Sequence, residues 1–270
     1  MASTTPTTTN ICLLATRHRR PGDQYTQCRF LVDGIHVKYG EVAPDVFEQD
    51  WDFRLTKFTK NWPAFPTGDW TYCQIERTLE GLSVVPYPHP YPIGLPSTSL
   101  WHHRVVDYAE LTTCLNILPG VLFKEDKLWL VEHEDFEGPV LRKMTQFPGS
   151  WGEMVRLEAE TRAYNLLQDE DITPEFLGHV TAGGGAAGFL MEYMEDARVP
   201  DPTHIHDCLD ILDKLHRVGI VHGNPVPEKF LLKNGKVYII DFEEAKFGAD
   251  ATQEKCREDC DKLMTGMLDY

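Results

Sequence analysis

The sequence lacks any apolar run near the ~20 residues that a membrane-spanning helix needs, so no membrane span is expected. The stretch ICLLAT is too short for the apolar core of a signal peptide, and its charged neighbour RHRR follows it instead of preceding it. A cytoplasmic protein is therefore expected. A basic run is also missing: 26 Lys and Arg stand against 42 Asp and Glu, for a formal net charge of -16. Such a surface repels a phosphate backbone, which argues against nucleic acid as a partner. No CxxC pair occurs, and the seven cysteines are odd in number and scattered, a pattern that reads as reduced thiols. His204, His206 and Cys208 lie close together, but residues two apart do not share a helix face, which argues against a metal site. No internal repeat is present.

What is there divides into three regions. Residues 1–10 are polar and read as a disordered N-terminus. Residues 11–100 read as a β-rich extension ending in a proline-rich linker. Within it, QCRFLVDGIHVKYGEV is a predicted hairpin turning at Asp33-Gly34, and TYCQIERTLEGLSV is a further strand region. The linker PYPHPYPIGLPSTSL, residues 86–100, is expected to lie along a surface. The extension is small, and packing on the rest of the chain is favoured over a separate fold.

Residues 101–270 carry the clearest patterns. VLFKEDKLWLVEHE reads as paired strands and GPVLRKMTQF as another. SWGEMVRLEAETRAYNLLQDE is a predicted helix with Ser150 as candidate N-cap. FLGHVTAGGGAAGFLMEYM reads as two strands around a glycine-rich turn. THIHDCLDILDKLHRVG is an amphipathic helix closed by Gly219, and FLLKNGKVYII a hairpin turning at Asn234-Gly235. The expected class is α+β.

Several charged residues sit where burial would be costly. Lys143 falls inside a strand, where an ammonium needs a partner, and Arg142 beside it points to the opposite face. In the following helix Leu157, Glu160, Tyr164 and Leu167 share one arc, so Glu160 is a charge set in an apolar stripe, with Glu158 as the solvated alternative. Asp241 closes the apolar strand YII and also needs a strong partner. Lys143 precedes Glu160 by 17 residues, and Asn224 precedes Asp241 by 17.

In order and spacing, residues 101–248 resemble the fungal branch of protein-kinase-like proteins, which are distantly similar to aminoglycoside phosphotransferases. The resemblance rests on KMTQFP, EAETRAYNLL, ITPEFLGHVT, GFLMEYM, LDKLHRVGIVHG and YIIDFEEA. It implies a bilobal kinase-like fold, with an N-lobe over 101–194 and a truncated helical C-lobe over 195–270. It further implies ATP and magnesium in the cleft: Lys143 on the phosphates, Glu160 holding Lys143, Asp241 on the metal, and Glu192 and Met194 near the adenine.

The chain departs from that pattern in the loop VHGNPVPEKFLL. The usual catalytic aspartate is Asn224, and the usual metal-binding asparagine is Lys229. An amide cannot take a proton as a carboxylate can, and an ammonium has no lone pair for magnesium. Lys229 is expected to place a positive charge near the missing metal. Glu243 replaces the glycine that often follows Asp-Phe. No glycine-rich phosphate loop precedes Lys143, and Gly183-Gly184-Gly185 reads as a hairpin turn. Only 29 residues follow Asp241, including one short acidic helix, so no standard platform for a peptide substrate is expected. Three readings stand. The chain is a catalytically impaired, pseudokinase-like protein keeping part of an ATP cleft; an active atypical phosphotransferase acting on a protein or small molecule; or a nucleotide-free interaction scaffold.

Overall fold

The computed structural model describes residues 10–18, 25–46, 62, 64–87, 93–114 and 127–268. Residues 1–9 of the expected disordered start (1–10) and the first half of VLFKEDKLWLVEHE lie outside the described residues, while Asn10 is described and its N–H donates to Asp33 Oδ1. The class is α+β, with a β-rich N-terminal region and, among the described residues, three α-helices, which is consistent with a bilobal kinase-like fold.

A five-stranded sheet comes first, in the order β1 (Ile11–His18), β2 (Thr26–Val32), β3 (His36–Val42), β4 (Tyr72–Thr78), β5 (Gly81–Pro86). Its β2–β3 and β4–β5 pairs are antiparallel hairpins, the first turning at Asp33-Gly34 as its sequence demands, while β3 and β4 run parallel.

A six-stranded sheet follows: β6 (Val105–Asp107), β7 (Thr112–Thr113), β8 (Leu128–Glu132), β9 (Val140–Met144), β10 (Phe176–Ala182) and β11 (Gly185–Met191), in the spatial order β6-β10-β11-β9-β8-β7. Helix α1 (Trp151–Leu167) lies between β9 and β10 in the chain. Ser150 stands at its N-cap position with extended backbone, but its side chain makes no cap bond; its carbonyl takes the Glu153 and Met154 N–H groups. Then come α2 (Ile205–Arg217), the short pair β12 (Ile220–Val221) with β15 (Lys246–Phe247), the hairpin β13 (Phe230–Lys233) with β14 (Lys236–Ile239), and α3 (Gln253–Leu268).

The six-stranded sheet is covered on both faces. On one, Val140, Met144, Val180 and Leu190 pack against Ala15, Val37, Tyr39 and Tyr72 of the first sheet. On the other, Phe189 and Met191 join Leu157, Tyr164 and Leu167 of α1 and the apolar side of α2. Each fully buried side chain of this size contributes roughly 1.5–3 kcal/mol. The alternation of β9 decides what each charge meets. Arg142 faces the first sheet, buried, with its guanidinium 4.9 Å from the Tyr108 ring centre; Arg29 of β2 approaches the same ring at 4.7 Å. Desolvation lowers the Arg142 pKa, and the phenol of Tyr108 opposes that shift. Lys143 faces α1.

The proline-rich segment differs in part from expectation. Among its described residues, 96–98 are exposed, as a surface linker should be, but Ile93 and Leu95 are buried, and the Leu95 N–H donates to the Ala186 carbonyl at 2.7 Å. The crossing has no room for side chains: a Cβ on Gly185 would stand 1.5 Å from the Ile93 carbonyl oxygen. The triple glycine is thus a turn plus a backbone crossing, not a phosphate cradle.

His179 on β10 is fully buried, edge-on to Trp101 and Phe176, and neither ring nitrogen has a hydrogen-bond partner. Burial, then the nearby His102, pushes its pKa down to about 4. A base whose folded-state pKa is depressed stabilises the fold above its unfolded pKa and loses that contribution as pH falls. Stability should therefore drop between about pH 6.5 and pH 4, by on the order of 1–2 kcal/mol once solvent screening is allowed for. Urea midpoints measured across this window should flatten in His179→Phe; an unchanged slope would assign the acid sensitivity to other groups.

Candidate functional site

The site is assembled from four separate elements. The Lys143 ammonium, from β9, lies 2.8 Å from Glu160 of α1, 2.7 Å from Asp241 Oδ1 and 3.0 Å from Glu243 Oε1. Glu160 is almost wholly buried and Glu158 exposed, as the helical stripe predicts. The second oxygen of Asp241 pairs with Lys229, from the 3-10 turn Pro227–Lys229. Among the described residues, Glu160, Asp241 and Glu243 form the one acidic group close enough for a metal, with one oxygen of each within 4.8 Å of the others.

Three carboxylates share two ammonium groups, and the titration behaviour follows from that imbalance. Burial alone would lower the Lys143 pKa; Glu160, then Asp241 and Glu243, outweigh it and hold the lysine charged. Burial would raise Asp241, but Lys143 and Lys229 keep it well below the usual carboxylate range. Glu243 is likewise lowered, with Lys143 overcoming its desolvation. Glu160 bears the mismatch: burial and the two neighbouring carboxylates push it up to about 7 despite Lys143.

The backbone presents these groups under constraint. Asp241 has a φ of +69°, a left-handed conformation uncommon outside glycine, and such strain persists only where its surroundings fix it. Phe242 supplies part of that fixing, being fully buried against Tyr164 and His222. His222 is buried as well, its Nε2 3.0 Å from the Ile240 carbonyl, which ties the loop to the strand leading into Asp241. At Gly223 (φ +82°) an added Cβ would meet the Glu244 carbonyl oxygen at 2.5 Å, so the loop passes too close for any side chain there. Asn224 follows, its N–H 3.3 Å from His222 Nδ1. Glu192 and Met194 lie just past the end of β11, with Met194 buried and Glu192 half-buried.

One residue escaped the sequence reading. Asp259 of α3 is buried and accepts the N–H groups of His222 at 2.8 Å and Gly223 at 3.0 Å, with His216 Nε2 3.1 Å away. It clamps the loop that carries Asn224. The signal was present: Asp259, Leu263 and Met267 are spaced i, i+4, i+8 and are all buried, so Asp259 is a charge in an apolar stripe, as Glu160 is. Asp259→Ala should cost about 2–4 kcal/mol, because it strands a buried N–H group at His222, a part-buried one at Gly223 and a histidine. A denaturant midpoint within error of the natural protein would contradict this.

No family model matches the chain. Among curated proteins, it is similar to the KEOPS complex subunit Bud32 of Pyrococcus abyssi, with 37% identity over 68 residues, or 22% of this chain and 31% of that protein. The match thus spans about a third of the relative's length.

Proposed function

We propose that this is a kinase-fold protein whose cleft binds a nucleotide but is impaired in phosphoryl transfer. The observation that carries the reading is the Lys143 ammonium held between Glu160 and Asp241, with Lys229 on the other oxygen of Asp241. Phosphoryl transfer depends on positioning and charge stabilisation, and Lys143 is placed to meet phosphate oxygens. In this reading residues 101–194 and 195–270 are the two lobes, residues 11–100 are an extension packed on the first, and Glu192 and Met194 border the adenine. The setting is cytoplasmic, and the partner beyond the nucleotide is a protein or a small molecule.

Magnesium suits oxygen ligands, and Asp241 with Glu243 would hold it. When bound, it would neutralise phosphate charge. Lys229 already delivers a positive charge to Asp241, so a nucleotide should bind with less dependence on the metal than the ordinary loop would impose. Asn224 can orient an acceptor hydroxyl but cannot take its proton.

Calorimetric titration with ATP, with and without magnesium, tests this. Binding should persist in EDTA, with affinity changed by less than ~10-fold, or about 1.4 kcal/mol. Absence of binding under both conditions would leave the scaffold reading. Turnover by the natural protein that disappears in Asp241→Ala would instead favour an atypical phosphotransferase.

A further inference from the structure

The first sheet reaches the site through helix α1. Arg17 of β1 forms an ion pair with Glu153 in the first turn of α1. Its guanidinium also lies 4.7 Å from the ring centre of Phe147, a buried residue on the β9–α1 connection. The Phe147 N–H donates to Glu153 Oε2 at 3.1 Å. Three parts of the chain therefore meet at Glu153, which is 6% exposed.

The two halves of α1 are held differently. Ala163, Tyr164 and Leu167 root its C-terminal half in the core. In the first two turns Trp151 and Val155 are exposed, Met154 is half-buried, and Leu157 is the one buried apolar side chain. A water-sized gap of about 20 Å3 is lined by Lys143, Glu153, Leu157, Glu160 and Glu243 among others, between this end of the helix and β9. Apolar packing does not jam this end in place; Glu153 ties it down. Glu153 and Glu160 are seven residues apart, which at 3.6 residues per turn sets them on one face. A rotation that takes Glu160 away from Lys143 must also part Glu153 from Arg17.

We infer that the N-terminal sheet is a built-in clamp on α1, and that Arg17 and Glu153 are positioning residues for the Lys143–Glu160 pair. Any partner or modification that detaches β1 would then loosen the site without touching it. The consequence for nucleotide rests on the function proposed above; the clamp itself does not.

The test uses the full chain and four variants: Arg17→Met, Arg17→Lys, Glu153→Arg, and the charge swap Arg17→Glu with Glu153→Arg. Amide hydrogen exchange should rise ~10-fold over residues 154–160 in Arg17→Met and in Glu153→Arg, with α2 unchanged. Arg17→Lys should recover most of the protection, and the charge swap only part of it, because an arginine at position 153 cannot accept the Phe147 N–H. ATP affinity should fall ~5–10-fold in Arg17→Met and return in Arg17→Lys. Unchanged exchange over 154–160 in Arg17→Met, or an equal rise in α2, overturns the clamp. If the natural protein binds no nucleotide, the functional reading fails, while the exchange pattern still decides for or against the clamp.

Discussion

The double variant Asn224→Asp/Lys229→Asn is expected to turn over ATP ~10²–10⁴-fold faster than the natural chain, the range that a positioned general base supplies. The backbone needs no rebuilding for this. Asp259 fixes the two residues before Asn224, and the Lys229 N–H is bonded to the Val226 carbonyl at 2.8 Å. What differs from a working loop is confined to two side chains. Asn224→Asp supplies a proton acceptor. Lys229→Asn removes the ammonium from Asp241 Oδ2 and puts an amide oxygen beside it, so a divalent cation gains two oxygen ligands on adjacent elements. Each change alone should do less. Asn224→Asp leaves Lys229 on Asp241, and Lys229→Asn leaves no base. Phosphate release with magnesium and ATP is the measurement, with Asp241→Ala in the same background as the control. A double variant that binds ATP yet gains no turnover would show that the impairment lies outside these two positions.

The residues that could be read from sequence were those whose burial contradicts their chemistry. Glu160 stood out because a charge in an apolar stripe must have a partner, and its partner proved to be Lys143. The turns at Asp33-Gly34 and Asn234-Gly235 could be read because their positive φ angles demand such residues locally. Contacts set by tertiary register could not. Glu243 shows no burial signal in its own segment, and it reaches Lys143 only because Asp241 turns the chain with a positive φ. Ile93 and Leu95 looked like a proline-rich surface strip because nothing local reveals that Gly185 leaves a channel for them. Arg29 and Arg142 gave no sign of converging on Tyr108, since their strands belong to different sheets.

Lys143→Met should be the most damaging single substitution in the site, and its cost should depend on pH. The lysine pairs with three carboxylates, and methionine keeps most of its length while leaving only Lys229 on Asp241 and the charge of Lys127 near Glu243. Breaking a buried ion pair from one side costs about 3–5 kcal/mol. Glu160 is pushed up to about 7 even with Lys143 present, so its contribution to stability is greatest below the ordinary glutamate range and is lost as pH rises through 7. Without Lys143 its affinity for a proton rises further. The folded variant then holds a proton that the unfolded chain has released, and each pH unit in that window removes about 1.4 kcal/mol of stability. The full deficit should therefore show at pH 8 and shrink at pH 5, where a protonated Glu160 no longer needs the ammonium. Guanidinium unfolding of both proteins at the two pH values measures this directly. Equal deficits at pH 5 and pH 8 would mean that the three carboxylates do not share the Lys143 charge, and the site would then lack the electrostatic coupling that the proposed nucleotide binding requires.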